Sequence, residues 1–182
     1  MDMRRGSNPY DEPMSAQGPK LAADPIAEAA RLWEERGWAD AAPGMAAITS
    51  LMRAHQIALT RVEAVLKPFG VTFARYEVLM LLFLSRRGSL PMRTIGARLQ
   101  VHQTSVTNAV DRLEQAKLVR RSPHPTDRRV TLVELTASGR RLAERATESL
   151  NAEVFSEPGL SSTAVANLVR ILAQLRQDSG DF

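Results

Sequence analysis

The residues best suited to chemistry lie between Gln103 and Arg129. From Gln103 to Ala116 the apolar residues Val106, Val110 and Leu113 recur at i, i+4 and i+7, so they share one stripe of a helix. Thr104, Asn108 and Asp111 fall almost opposite that stripe, with Gln103, Ser105, Thr107 and Arg112 on its flanks. A face of amide and hydroxyl groups both donates and accepts hydrogen bonds, which suits the edges of base pairs. It also suits an ordinary surface helix, and for this helix alone the two readings stay open.

Beyond Lys117 the pattern becomes that of extended chain, in Leu118 to Ser122 and again in Val130 to Leu135. Between these runs Pro123 and Pro125 stop the first strand, and Thr126 with Asp127 supplies turn chemistry, so an antiparallel hairpin is predicted. Arg120, Arg121, Arg128 and Arg129 flank its tip. One or two arginines there would only solvate a strand edge. Four, beside a polar helix, fit a hairpin that offers guanidinium groups to a phosphate backbone or minor groove, as in a winged helix-turn-helix.

The run from Val101 to Gly139 resembles the DNA-binding core of the MarR family of bacterial transcription regulators. The resemblance is carried by Val101 to Val119, by Asp127-Arg128-Arg129, and by Leu135-Thr136-Ala137-Ser138-Gly139 at the family's spacing. The wider pattern spans Met45 to Leu175. It implies a DNA-binding regulator, of the repressing kind, that binds a pseudo-palindromic operator as a homodimer and is released by a small aromatic or anionic effector. By the same resemblance Asp127 braces the wing, and Arg129 or Arg128 enters the minor groove. Lys117 departs from the glycine that commonly ends the recognition helix in the family; a lysine can still cap terminal carbonyls there.

The elements that must position these groups can be read outward from them. Pro91 opens a short helix through Met92, Ile95 and Leu99, with Gln100-Val101-His102 as the turn of the helix-turn-helix. Arg93 and Arg98 on its outer side either hold phosphates or are ordinary surface arginines, and His102 caps the recognition helix or touches phosphate. Thr72 can cap a preceding helix from Phe73 to about Arg87, apolar on every side over Val78 to Leu84 and so expected to be central. Arg86, Arg87 and Gly88 close it.

A long helix is predicted from Met45, after a break at Pro43-Gly44, to about Lys67. Its stripe is Ile48, Leu51, Met52, His55, Leu59, Val62 and Leu66, too long for a compact head to cover, so part of it should meet another chain. His55 reads first as a core imidazole and second as a ligand or protonation switch. Asp24-Pro25 starts an extra helix through Trp33 to about Arg36, similar to the additional N-terminal helix of the family's urate-responsive branch. Trp33 either lines an effector pocket or pins this helix, and Glu77 stands where that branch usually has Asp. Trp33, His55 and Glu77 are the candidate effector residues.

Towards the C-terminus, Thr136 caps a helix with Leu142, Ala146, Leu150 and Val154 at four-residue intervals. After Pro158-Gly159, Ser161 starts a last helix bearing Val165, Leu168, Leu172 and Leu175. Amphipathic helices at both ends of the chain, paired with a second copy, would bury a shared core. The expected fold is therefore mainly α with a small β-hairpin wing, a winged helix-turn-helix head plus a helical dimerisation region. Its segments are a disordered tail at 1–23, which could carry a basic arm at Arg4 and Arg5, the extra helix at 24–40, a dimerisation helix at 45–68, the DNA-binding domain at 71–135 and C-terminal dimerisation helices at 136–178.

Composition bounds the function. The 182 residues carry a net charge of +4. Val71 to Leu135 holds eleven Lys/Arg against five Asp/Glu, a local +6, leaving −2 for the rest. Basic charge is thus concentrated where the helix and hairpin lie, the footprint of phosphate neutralisation. With no cysteine there is no disulfide, thiolate metal site or cysteine redox switch. No apolar run is long enough for a membrane span and no signal peptide is visible, which predicts a cytoplasmic protein without membrane partners. The three histidines fall on separate elements and no phosphate loop or metal-ligand spacing is present, so no enzyme, metal or cofactor is expected. Double-stranded DNA, a second copy of the chain and a small effector are the expected partners. An architectural DNA-binding or protein-interaction module is the alternative.

Overall fold

The computed structural model describes residues 21–99, 103–127 and 129–182, with only the main chain at Gln103. The elements run α1 (Pro25–Glu35), α2 (Ala42–Leu66), α3 (Phe73–Phe83), β1 (Ser89–Pro91), α4 (Met92–Leu99), α5 (Gln103–Gln115), β2 (Val119–Pro123), β3 (Thr131–Leu135), α6 (Ala137–Leu150) and α7 (Ser162–Asp178). Contacts divide the chain into two compact units, Met1–Thr60 and Arg61–Phe182, with α2 running through the boundary. No described helix is long and apolar enough to cross a membrane.

In the first unit, Asp24 caps α1 by accepting from the Ile26 N–H at 2.9 Å, and Pro25 occupies the first turn, where its missing N–H costs nothing. The helix buries no residue fully; Trp33 meets Trp38 edge-on at 5.3 Å. The expected break at Pro43-Gly44 does not occur. Helix α2 begins at Ala42, because proline in a first helical turn displaces no intrahelical bond. Along α2, Ile48, Met52, His55 and Ile57 are exposed on the single chain. His55 thus lies outside the core of the single chain.

The second unit holds the main core. Val62 and Leu66 of α2, Val78, Leu79 and Leu82 of α3, Ile95 of α4, and Val106, Val110 and Leu113 of α5 are buried together with Val119, Val133 and Leu150. Each such side chain contributes roughly 1.5–3 kcal/mol. Helix α3 ends at Phe83, earlier than expected, and Leu84 is 74% exposed, so the apolar run outlasts the buried stretch. Thr72 takes the N-cap position of α3 but its hydroxyl makes no capping bond; the Phe73 N–H instead donates to Glu63 Oε1 at 2.7 Å. The cap comes from the preceding helix.

The sheet has order β1-β3-β2, all antiparallel. The hairpin pairs Val119 with Leu135 and Pro123 with Thr131. Strand β1, which pairs Leu90 with Val133, was not legible in the sequence: three residues show no alternation, and Pro91, expected to open a helix, ends an edge strand where it displaces no ladder bond. Helix α5 stops where expected. Its end is a Schellman turn, with the Lys117 N–H on the Glu114 carbonyl at 2.9 Å and the Leu118 N–H on the Leu113 carbonyl at 2.9 Å. Lys117 sits at φ +60, the one non-glycine residue in the left-handed region among those described. Because the side chain is exposed and a Cβ is disfavoured in that region, Lys117→Gly is expected to stabilise the protein by about 1 kcal/mol. An unchanged or lower midpoint in a urea titration would contradict this.

Candidate nucleic-acid interface

Val106 and Val110 are fully buried and Leu113 nearly so, which turns the opposite face of α5 outward. Thr104, Ser105, Asn108 and Arg112 are exposed, and Thr107 is half-buried. Arg112 reaches Gln115 Oε1 at 3.4 Å along the same helix. On α4, Ile95 is buried while Arg93 and Arg98 are exposed. Both arginines thus stand on the outer side, as the periodicity required. His102, the Gln103 side chain and Arg128 lie outside the described residues.

The wing arginines divide by partner. Arg120 pairs with Glu134, directly opposite it in the hairpin register, at 2.6 Å. The Glu134 carboxyl also accepts from the Ser122 hydroxyl, and these two bonds hold it below the usual carboxylate range. Arg121, expected among the DNA contacts, is drawn inward. Its guanidinium bridges Asp111 and Glu114 of α5, each at 2.5 Å, and its N–H donates to Glu114 Oε1 at 2.8 Å. The physical reason is the reach from β2 back to α5, which offers a half-buried cation two carboxylates at once. Asp111, on the polar face of α5, thereby serves an arginine of the wing.

Arg129 is different. Its side chain is 93% exposed and, among the described residues, makes only a long contact to Asp127 Oδ1 at 3.4 Å, while its N–H donates to the same oxygen at 3.1 Å. That Asx turn, with the Val130 N–H on the Asp127 carbonyl at 3.0 Å, braces the tip and leaves the guanidinium outside.

The Arg121 bridge ties wing to helix, so its loss is expected to show in two ways. Arg121→Met should lower stability by about 1 kcal/mol, since the pair is only half-buried. The slope of log affinity for DNA against log salt should stay at the parent value. A slope reduced by about 1 would show instead that Arg121 neutralises a phosphate.

Of the three candidate effector residues, Trp33 and His55 belong to the first unit and Glu77 to the second. Glu77 is half-buried on α3, and that burial raises its carboxyl above the usual range. Two residues that matter here carry signals too weak to have been singled out: Glu63, whose capping role is tertiary, and Gly139, which lies within a quoted motif but whose backbone approach to Leu118 no spacing reveals.

A family model described as the MarR family matches residues 69–130. Among solved structures, the chain is similar to Sco5413, a MarR family transcriptional regulator from Streptomyces coelicolor, with 49% identity, 77% of this chain and 97% of that chain covered, and a TM-score of 0.71. It shares the fold of Sco3205, a MarR family transcriptional regulator from the same organism solved in complex with DNA, at 23% identity, 72% and 84% coverage and a TM-score of 0.64. It is also 34% identical over 84 residues to YhbI, an uncharacterized HTH-type transcriptional regulator of Bacillus subtilis (strain 168), which covers 46% of this chain and 53% of that protein. The chain spans about half the length of the curated relatives it matches.

Proposed function

The chain belongs to the MarR family, and from that premise we propose that it is a transcription regulator that reads a pseudo-palindromic operator in double-stranded DNA. One observation carries the reading: the exposed polar face of α5, opposite a fully buried stripe, stands in the same unit as a wing whose Arg129 is turned to solvent. Lys and Arg of the basic segment, Arg93 and Arg98 among them, supply affinity through phosphates. Thr104, Ser105, Thr107 and Asn108, with Gln103, read base edges. Arg129 enters the minor groove beside them.

We also propose that the working form is a homodimer. In the first unit α2 leaves Ile48, Met52 and Ile57 exposed; in the second, α7 buries no residue fully and exposes Leu168, Val169, Ile171 and Leu175. Apolar faces of this extent are covered in a stable protein, and a two-fold copy places two reading helices about 34 Å apart, one turn of the duplex. Sedimentation at the mass of a single chain would remove this element. Repression, with release by a small aromatic or anionic effector, completes the reading and stands on family membership.

The test is a titration on the DNA flanking the protein's own gene and on scrambled DNA of equal length, at two salt concentrations. Preference for the flanking DNA at both salts is expected, and Asn108→Ala should reduce that preference by about 1–3 kcal/mol. Equal affinity for the two DNAs would favour a non-specific architectural module instead.

A further inference from the structure

We propose that the turn after α3, with the first turn of α6 beside it, is a docking surface for an acidic segment of a partner protein in which a large apolar side chain stands among carboxylates. Leu84 follows α3 and, at 74%, is the most exposed of the large apolar side chains described. Ser85 to Gly88 then form a β-turn, closed by the Gly88 N–H on the Ser85 carbonyl at 3.2 Å and tied to α3 by the Ser85 hydroxyl on the Leu82 carbonyl at 2.7 Å. Arg86 and Arg87 hold its two central positions, and both are exposed. Arg140 of α6 completes the patch. Its guanidinium lies over the half-buried Phe83 ring, 5.0 Å from the centre, and its Nη2 would lie 3.7 Å from a Cβ on Gly88.

These three cations differ from those of the wing. Arg120 and Arg121 are neutralised by carboxylates, whereas no described carboxylate comes within 4 Å of Arg86, Arg87 or Arg140. Glu134, which faces Ser89 across the sheet, is already held by Arg120 and Ser122. Guanidinium groups grouped in this way are suited to acidic segments, through paired charge-assisted bonds to carboxylates. Leu84 decides the class of partner. A nucleic acid would bring phosphates but nothing apolar to cover it, and one leucine is too small an apolar area to hold a lipid surface. A peptide brings both kinds of group.

The register of the sheet fixes where the patch lies. Strand β1 leaves the turn by pairing Ser89 with Glu134, while Pro123 and Thr131 pair towards the tip. Foot and tip of the hairpin are thus separated by the length of β3, about 13 Å at the usual strand rise. A partner at the foot leaves Arg129 free to enter a groove. Occupancy itself does not depend on the DNA-binding reading; only this placement does.

The probe is the fluorescein-labelled peptide EDDFLDDE, with QNNFLNNQ as the uncharged counterpart and EDDGSDDE as the anion without an apolar centre, each titrated by anisotropy into the full chain. The probe is expected to bind at least tenfold more tightly than either, with Arg86→Gln/Arg87→Gln weakening it about tenfold and Leu84→Asn about fivefold. Arg93→Gln/Arg98→Gln on α4 should bind it as the parent does, which separates the patch from the basic face of the head. The substituted side chains are exposed, so the variants should melt and sediment as the parent does. In the unsubstituted protein the probe should shift the Leu84 methyl resonances, and neither a duplex of scrambled sequence nor phosphatidylglycerol vesicles should. Failure of the probe to bind, equal binding of either counterpart, unchanged affinity in either patch variant, or an equal loss in the α4 variant would overturn the proposal. Leu84 shifts caused by the duplex or the vesicles would give the patch to nucleic acid or lipid instead, and altered sedimentation of a patch variant would give it to a second copy. The operator titration separates the readings: loss of DNA preference there sinks the regulator and leaves this surface standing.

Discussion

Replacing Gly139 with alanine is expected to lower the unfolding free energy by about 3 kcal/mol or more, although alanine is the better helix former by about 1 kcal/mol. A Cβ at this position would lie 2.0 Å from the Leu118 carbonyl oxygen and 2.8 Å from Leu135 Cδ1. The first obstacle is main chain and has nowhere to turn. It belongs to the knot that joins three elements, in which the Thr136 hydroxyl accepts from the Gly139 N–H at 3.0 Å and donates to the carbonyls of Lys117 and Leu118. Making room would prise the first turn of α6 away from the strand that begins the wing. The contact also gives a physical content to the Leu135-Thr136-Ala137-Ser138-Gly139 run: a capping hydroxyl and a residue without a side chain are what let a helix start against the foot of a hairpin. Urea unfolding checks the expectation, and a variant as stable as the parent would show that the backbone yields there cheaply.

The second large effect concerns binding rather than folding. Arg129→Ala is expected to weaken DNA binding about thirtyfold while leaving stability within about 0.5 kcal/mol, because an exposed side chain contributes little to the fold. The geometry behind this is the Asx turn at Asp127, which orders the Arg129 main chain and leaves its guanidinium without a close partner among the described residues. The main chain is already ordered by the turn, so entering a groove fixes only the rotamers of the side chain, and the rest of its attraction appears as affinity. Fluorescence anisotropy on the operator measures the first number and a thermal melt the second. Unchanged affinity would move the wing contact to another residue; a large loss of stability would show that Arg129 braces the tip itself.

The contrast between these two residues explains how far the sequence could be read. Helix α5, the hairpin and the caps at Asp24, Thr136 and Ser161 were all legible, since each capping oxygen serves an N–H two or three residues ahead. Thr72 shows the limit. A residue type suited to capping stands in the right place, yet Glu63, ten residues away, takes the bond. The same limit governs the arginines around the hairpin. Counted in sequence, four of them point to DNA; in space Arg120 and Arg121 are engaged by Glu134, Asp111 and Glu114, and their side chains hold the wing in place.

What the sequence by itself determined was the period of each element, its capping residues, the concentration of basic charge and the polar character of one helix face. These depend on side chains within about four positions of one another, where the geometry of helix and strand is already set by the backbone. Only the tertiary structure decided which carboxylates engage Arg120 and Arg121, that a third strand pairs with the hairpin, and that Gly139 must lack a side chain. Each of those depends on groups brought together from distant parts of the chain, where packing and charge, rather than local period, select the partner.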